Sequence, residues 1–161
     1  MISAKLGTTS YTTPNDHDIV ITRVFDAPRE FLFDAWTDPA LIRQWMTGPD
    51  GWTMPVCEID LRPGGAWRYV YRKDGGSEMT LTGTVKEARR PERFVSTERW
   101  GPEWPESTNT IEFAESNGQT TITFTITYTS KEVRDAALAT GMKSGVDASF
   151  NRLDDVIADQ P

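Results

Sequence analysis

The stretch Thr121-Ile122-Thr123-Phe124-Thr125-Ile126-Thr127-Tyr128, followed at once by Thr129-Ser130-Lys131-Glu132, decides the fold. Its first part alternates apolar side chains with threonine at every step. A period of two places Ile122, Phe124, Ile126 and Tyr128 on one face of a strand and the threonines on the other. The second part is a capping box, with Thr129 as N-cap and Glu132 three residues on. Beyond it Leu138, Met142, Val146, Phe150, Leu153 and Ile157 recur at steps of four and three, the stripe of an amphipathic helix. One helix over residues 130–158 would be roughly 40 Å long at a rise of ~1.5 Å per residue. A strand with one wet face therefore feeds a helix long enough to cover the apolar face of a whole sheet.

Reading outward, the same alternation repeats upstream. Asn117-Gly118 is a hairpin dipeptide joining this strand to one at 107–114. Phe94 to Trp100 forms another strand, after Arg90-Pro91-Glu92. Met79, Leu81, Gly83 and Val85 alternate with Thr80, Thr82 and Thr84, and Trp67, Tyr69 and Tyr71 alternate with Arg68 and Arg72. Between residues 54–61 and 66–72 stands Arg62-Pro63-Gly64-Gly65, a type II turn signal in which Pro63 fixes φ and Gly64 accepts a positive one. Cys57, Ile59 and Leu61 take the inner face of the strand before it, Glu58 and Asp60 the outer. A first strand spans 18–25. Asp26-Ala27-Pro28 then opens a short helix with Phe31, Leu32, Ala35 and Trp36 as its buried stripe. Asp38 as N-cap and Pro39 at N1 open a second, carrying Leu41, Ile42, Trp45 and Met46. About seven strands with one apolar face each predict an antiparallel sheet. The fold class is α+β: a curved sheet wrapped around a long C-terminal helix, with two short helices after the first strand.

Composition narrows the function. A chain of 161 residues fits a single domain at 18–161 behind a polar lead-in at 1–17. With 6 Trp, 7 Phe and 4 Tyr it is too aromatic for a disordered chain. A net charge of −7 opposes phosphate-backbone binding, so nucleic acid is not an expected partner. Cys57 is the only cysteine and His17 the only histidine, which argues against a metal site and against a histidine-dependent triad. No disulfide can form within the chain, as suits a reducing cytoplasm. No apolar run reaches the ~20 residues of a membrane span, and residues 1–16 lack the apolar stretch of a signal peptide. No cofactor is expected.

The order strand, two short helices, six strands and long helix resembles the helix-grip fold of the START-like (SRPBCC) superfamily. Within it the chain resembles the branch named for the C-terminal domain of the activator of Hsp90 ATPase. The carrying motifs are Phe25-Asp26-Ala27-Pro28, Ala35-Trp36-Thr37-Asp38-Pro39, Trp45, Asp60-Leu61-Arg62-Pro63-Gly64-Gly65 and Phe150-Asn151-Arg152-Leu153. The family commonly has Trp after the glycine at position 145, where this chain has Val146. The resemblance implies a small-molecule or co-chaperone role. The eukaryotic co-chaperones carry a further N-terminal domain, for which this chain has no room, so Hsp90 is a disfavoured partner.

The expected site is an apolar cavity between sheet and helix, lined by Trp67, Tyr69, Tyr71, Met79, Leu81, Phe94, Glu98, Trp100, Phe113, Phe124, Met142, Val146 and Phe150. Trp45, Met46 and Trp52, around the Gly48–Gly51 loop, are expected at its mouth. Gly141 and Gly145 thin the helix that faces it, and plain core packing is the alternative for any one aromatic. Glu98 shares the parity of Phe94 and Trp100, so it should face inward, where a carboxylate anchors a ligand or acts as a base. Glu58 is expected in solvent and Cys57 as a small buried hydrophobe. The expected function is binding of a small hydrophobic or aromatic molecule by a monomer or homodimer. The alternatives are a polyketide cyclase or aromatase-like enzyme, with Glu98 and Tyr69 as its candidate catalytic residues, and a co-chaperone-like interaction domain. No complete catalytic set is present, which favours the non-enzymatic reading.

Overall fold

The computed structural model describes residues 5–160; residues 1–4 of the expected lead-in and Pro161 lie outside the described residues. The chain runs β1 (Ser10–Thr12), β2 (Asp18–Phe25), α1 (Arg29–Thr37), α2 (Pro39–Trp45), β3 (Trp52–Ile59), β4 (Ala66–Lys73), β5 (Glu78–Arg89), β6 (Arg93–Trp100), β7 (Ser107–Ser116), β8 (Gln119–Thr127), α3 (Lys131–Ala139) and α4 (Met142–Ala158). The strands make one curved antiparallel sheet in the order β1-β2-β8-β7-β6-β5-β4-β3. Because β2 pairs with β8, the first and last long strands lie side by side, next to the edge that β1 forms. The extra strand, β1, comes from the stretch read as a polar lead-in: Ser10, Tyr11 and Thr12 pair with Thr22, Ile21 and Val20.

The turn chemistry reads as expected. Gly64 has a φ of 85°, and the Gly65 N–H donates to Arg62 O at 2.8 Å. The turn is stapled to β5, since Gly64 N–H donates to Val85 O and Val85 N–H to Gly65 O, each at 2.8 Å. Asn117 and Gly118 both have positive φ, as a type I′ hairpin requires. Bulges between Thr53 and Val56 and between Val85 and Glu87 add local bend to the sheet.

Four local expectations need correction. The C-terminal helix is not continuous: α3 ends at Ala139 and α4 begins at Met142, with Gly141 between them at a φ of 83°. A glycine in the left-handed region is the common way to end a helix, and the stripe continues across the break because the step from Leu138 to Met142 is four on either account. The N-cap is Ser130, not Thr129: its extended backbone lets its Oγ accept the Val133 N–H at 3.2 Å. In α1 the fully buried phenylalanine is Phe33, while Phe31 is only half-buried. Leu61 lies past the end of β3 and is 42% exposed rather than inward.

The core is filled at one end of the sheet. Phe25, Trp36, Trp45 and Phe150 pack edge to face or tilted, with centroids 4.6–6.3 Å apart. Asp38 caps α2 as expected, its Oδ1 accepting the Ala40 N–H at 3.0 Å. The closest backbone approaches of α4 are to α2 and α3. The strands β4–β6 and α4 line a space between them.

Candidate functional site

That space is a cavity of about 440 Å³, bounded by β4–β8 on one side and by α4 with the loop after α2 on the other. Trp67, Tyr69 and Tyr71 of β4, Met79 and Leu81 of β5, and Phe94, Glu98 and Trp100 of β6 form the sheet wall. Phe124 comes from β8, and Met142, Val146 and Phe150 from α4. The sheet side is set by strand parity, since each of these strand residues shares a face with its neighbours two away. A second recess of about 290 Å³ adjoins it and shares Met79, Glu98, Trp100, Ile126, Thr140 and Met142. Glu98 thus stands where the two spaces meet.

Phe113 is the exception among the expected lining residues. Its parity is inward, but it lies at the filled end of the sheet, against Phe33 at 5.4 Å and Trp36 at 5.9 Å. Trp45 lines the cavity but is no lip: it is 1% exposed, and its indole N–H donates to Ala35 O at 2.9 Å. Met46 and Trp52 are half-buried at the rim. Trp100, expected as an interior wall, is 45% exposed at the edge of the opening. Gly145 lines the cavity, and a Cβ there would meet only Pro49 Cδ, at 3.7 Å, so no close packing requires the glycine.

The family motifs have structural roles around this space. Phe150 and Leu153 are core, and Asn151 Oδ1 accepts from the Arg23 guanidinium at 3.1 Å. Arg152 donates to Thr47 Oγ1 at 2.7 Å, Gly48 O at 2.9 Å and Asp50 Oδ1 at 3.2 Å, tying the rim loop to α4. Ser149 Oγ accepts the Gly48 N–H at 2.9 Å and pins the same loop. Arg23 is itself 2% exposed on the inner face of β2, paired with Asp154 of α4 and bonded to Thr9 Oγ1 at 3.0 Å. Parity with Ile19, Ile21 and Phe25 is the signal by which the sequence could have revealed it.

The polar groups in the cavity converge on Glu98. One carboxylate oxygen accepts from the Trp100 indole N–H at 2.5 Å, the other from Asn109 Nδ2 at 3.1 Å. Burial pushes the Glu98 carboxyl above the usual carboxylate range, and these two hydrogen bonds oppose the shift. Asn109, unforeseen in the sequence, is 7% exposed and shares the inward parity of Ile111 and Phe113. Burial likewise raises the Tyr69 and Tyr71 phenols well above their ordinary value. Trp67 is held by its indole N–H, which donates to Thr97 O at 2.9 Å. Cys57 is buried and its thiol is pushed up to about 11, chiefly by desolvation, as befits an unreactive packing residue. Glu58 lies on the exposed face, 3.7 Å from Arg68. Among the described residues no group of three or more His, Cys, Asp or Glu is placed to hold a metal ion, and no helix is long and apolar enough to cross a membrane.

The family model described as "Activator of Hsp90 ATPase homolog 1-like protein" matches residues 26–158. The chain belongs to this family. The match spans α1 through α4, so the activator of Hsp90 ATPase homolog 1-like family includes every wall of the cavity. Solved structures agree. A protein from Rhodobacter sphaeroides is 28% identical, with 94% of this chain and 99% of that one covered at a TM-score of 0.90. A protein from Mycobacterium smegmatis is 23% identical over 96% and 99% of the two chains, with a TM-score of 0.83. An AHSA1-like protein from Aeromonas hydrophila is 19% identical over 88% and 96%, with a TM-score of 0.71, a likeness of fold alone. No curated protein matches the sequence. The helix-grip architecture of this START-like family is thereby the architecture of the chain.

Proposed function

We propose that this family member binds a small hydrophobic or aromatic molecule in the cavity between the sheet and α4. The observation that carries the reading is an aromatic-walled space of about 440 Å³, within the ~300–1,000 Å³ of ordinary ligand pockets. It has a pinned rim and a single convergent polar cluster. A protein with no use for this space would gain by filling it, since each buried methylene contributes about 0.8 kcal/mol. We place the working unit at residues 18–161, as a monomer or homodimer in a reducing cytoplasm.

Thermal unfolding in the presence of apolar aromatic compounds tests the proposal. At a hundredfold excess over Kd a ligand stabilises by about 2.7 kcal/mol, a rise in Tm of roughly 5–10 °C at this size. A panel that leaves Tm unmoved, with a structure showing the interior collapsed on its own side chains, would reject it.

One observation favours a second reading, a polyketide cyclase or aromatase-like enzyme: a carboxyl with a raised pKa, Glu98, faces the cavity beside Tyr69. Unchanged turnover of a true substrate by Glu98→Gln would reject that assignment. The co-chaperone reading ranks lower, because Thr127, Arg68 and Arg72 leave the outer face polar and exposed. Stoichiometric capture of Hsp90 would reverse that order.

A further inference from the structure

Among the described residues, Glu98 is the only charged one lining the cavity and its adjoining recess. Both its oxygens accept hydrogen bonds from within the protein, one from Trp100 and one from Asn109. The Asn109 amide is oriented by that contact: its nitrogen faces the carboxylate, so its oxygen is turned away. That oxygen, Asn109 Oδ1, is buried and has no hydrogen-bond partner. With almost no surface of its own, that oxygen is closed to a guest as well as to water. The two donors of the cluster, the Trp100 indole N–H and Asn109 Nδ2, are both spent on Glu98. What the cluster offers a guest is the remaining lone pairs of the Glu98 carboxylate. Tyr69, Tyr71 and Trp100 line the same space, and the faces of such rings attract positive charge.

We propose that the cavity selects aromatic amines, molecules whose ring fills the apolar space and whose protonated amino group is held by Glu98. The inference rests on the ligand-binding reading above and names the chemical class of the ligand. An ammonium supplies up to three donors and one positive charge. It would hold the Glu98 carboxylate ionised. An anion would meet an unopposed carboxylate, and a neutral hydrocarbon would leave those lone pairs unpaired.

Calorimetric titration of the full chain with naphthylethylamine, its neutral isostere propylnaphthalene and naphthylacetate tests the assignment. The amine should bind about 10–100-fold more tightly than the isostere, the range for hydrogen bonds to a charged group. Glu98→Gln should remove most of that preference and leave the isostere within about threefold of its wild-type affinity. Equal binding of amine and isostere by the wild type would overturn this inference and leave the cavity reading standing. Preference for naphthylacetate would overturn it by making Glu98 a neutral donor. Failure of all three probes to bind would remove the cavity reading itself.

A wild-type measurement removes dependence on the variant. Amine affinity should rise with pH as Glu98 ionises, while isostere affinity stays level; a level amine profile would overturn the assignment. The groups facing Glu98 do not confuse this readout. They are the phenols of Tyr69 and Tyr71 from β4 and of Tyr128 after β8, all raised by burial and so neutral across the range. Asn109 from β7, Met79 from β5 and Met142 and Val146 from α4 do not titrate.

Discussion

Gly83→Ala is the substitution whose consequence the structure defines most sharply. A Cβ at Gly83 would lie 1.9 Å from Thr97 O, 2.3 Å from Trp67 Nε1 and 2.6 Å from Trp67 Cε2. It would occupy the hydrogen bond by which the Trp67 indole is held to Thr97, so both partners must move. Trp67 is only 5% exposed. A stranded indole N–H costs about 1–3 kcal/mol, and overpacking of the wall adds about 1–3 kcal/mol. The loss of glycine's freedom in the unfolded chain offsets about 0.4–1 kcal/mol. The expected net loss is about 2–5 kcal/mol, or roughly 5–15 °C in Tm. Urea unfolding followed by tryptophan fluorescence reads both stability and the displaced indole. Gly145→Ala is the control: its Cβ meets only Pro49 Cδ at 3.7 Å, inside α4. It should stabilise by about 0.5–1 kcal/mol through helix propensity. A Gly83→Ala protein within 0.5 kcal/mol of wild type, with unchanged fluorescence, would refute the close-packed wall described here.

Other consequences can be checked separately. Asp154→Ala leaves the Arg23 guanidinium buried with only Thr9 and Asn151 for partners, and should cost about 3 kcal/mol in urea unfolding. Ser130→Ala should cost about 1 kcal/mol and Thr129→Ala less than half of that, because only Ser130 caps α3. For Glu98 the folded pKa lies above the unfolded one, so the native state holds the proton more strongly and stability falls as pH rises between the two. The stability of Glu98→Gln relative to wild type should therefore grow as pH rises from below ~4.3, and equilibrium unfolding across pH measures it. At pH 8 the native Cys57 thiolate fraction should be about a hundredfold below that of a free thiol, so a thiol reagent should label it at that reduced rate or slower.

What the sequence made legible follows from what a period can report. A period of two assigns a face, and β4, β5 and β8 present the apolar faces read for them. It does not report depth along the strand, which is why Phe113 was assigned to the cavity but packs at the filled end under α1. It does not separate a continuous helix from two helices in phase, so the break at Gly141 passed as a thinning of one helix. Trp45 carried no sign of the Ala35 carbonyl that draws its indole inward. Asn109 and Arg23 were within reach of the same parity rule. A search for apolar residues passes over polar ones on the inner face, and at this site those residues organise the chemistry.

The central claim is that the space under α4 receives a small aromatic molecule. The most direct measurement is a backbone amide chemical-shift titration of the protein with naphthylethylamine and propylnaphthalene. Shifts should saturate and concentrate on β4 to β6, Asn109 and the first turns of α4, with the outer-face threonines of β8 unmoved. Shifts that fail to saturate, or that fall on the outer face while Trp67, Glu98 and Val146 stay still, would contradict the claim.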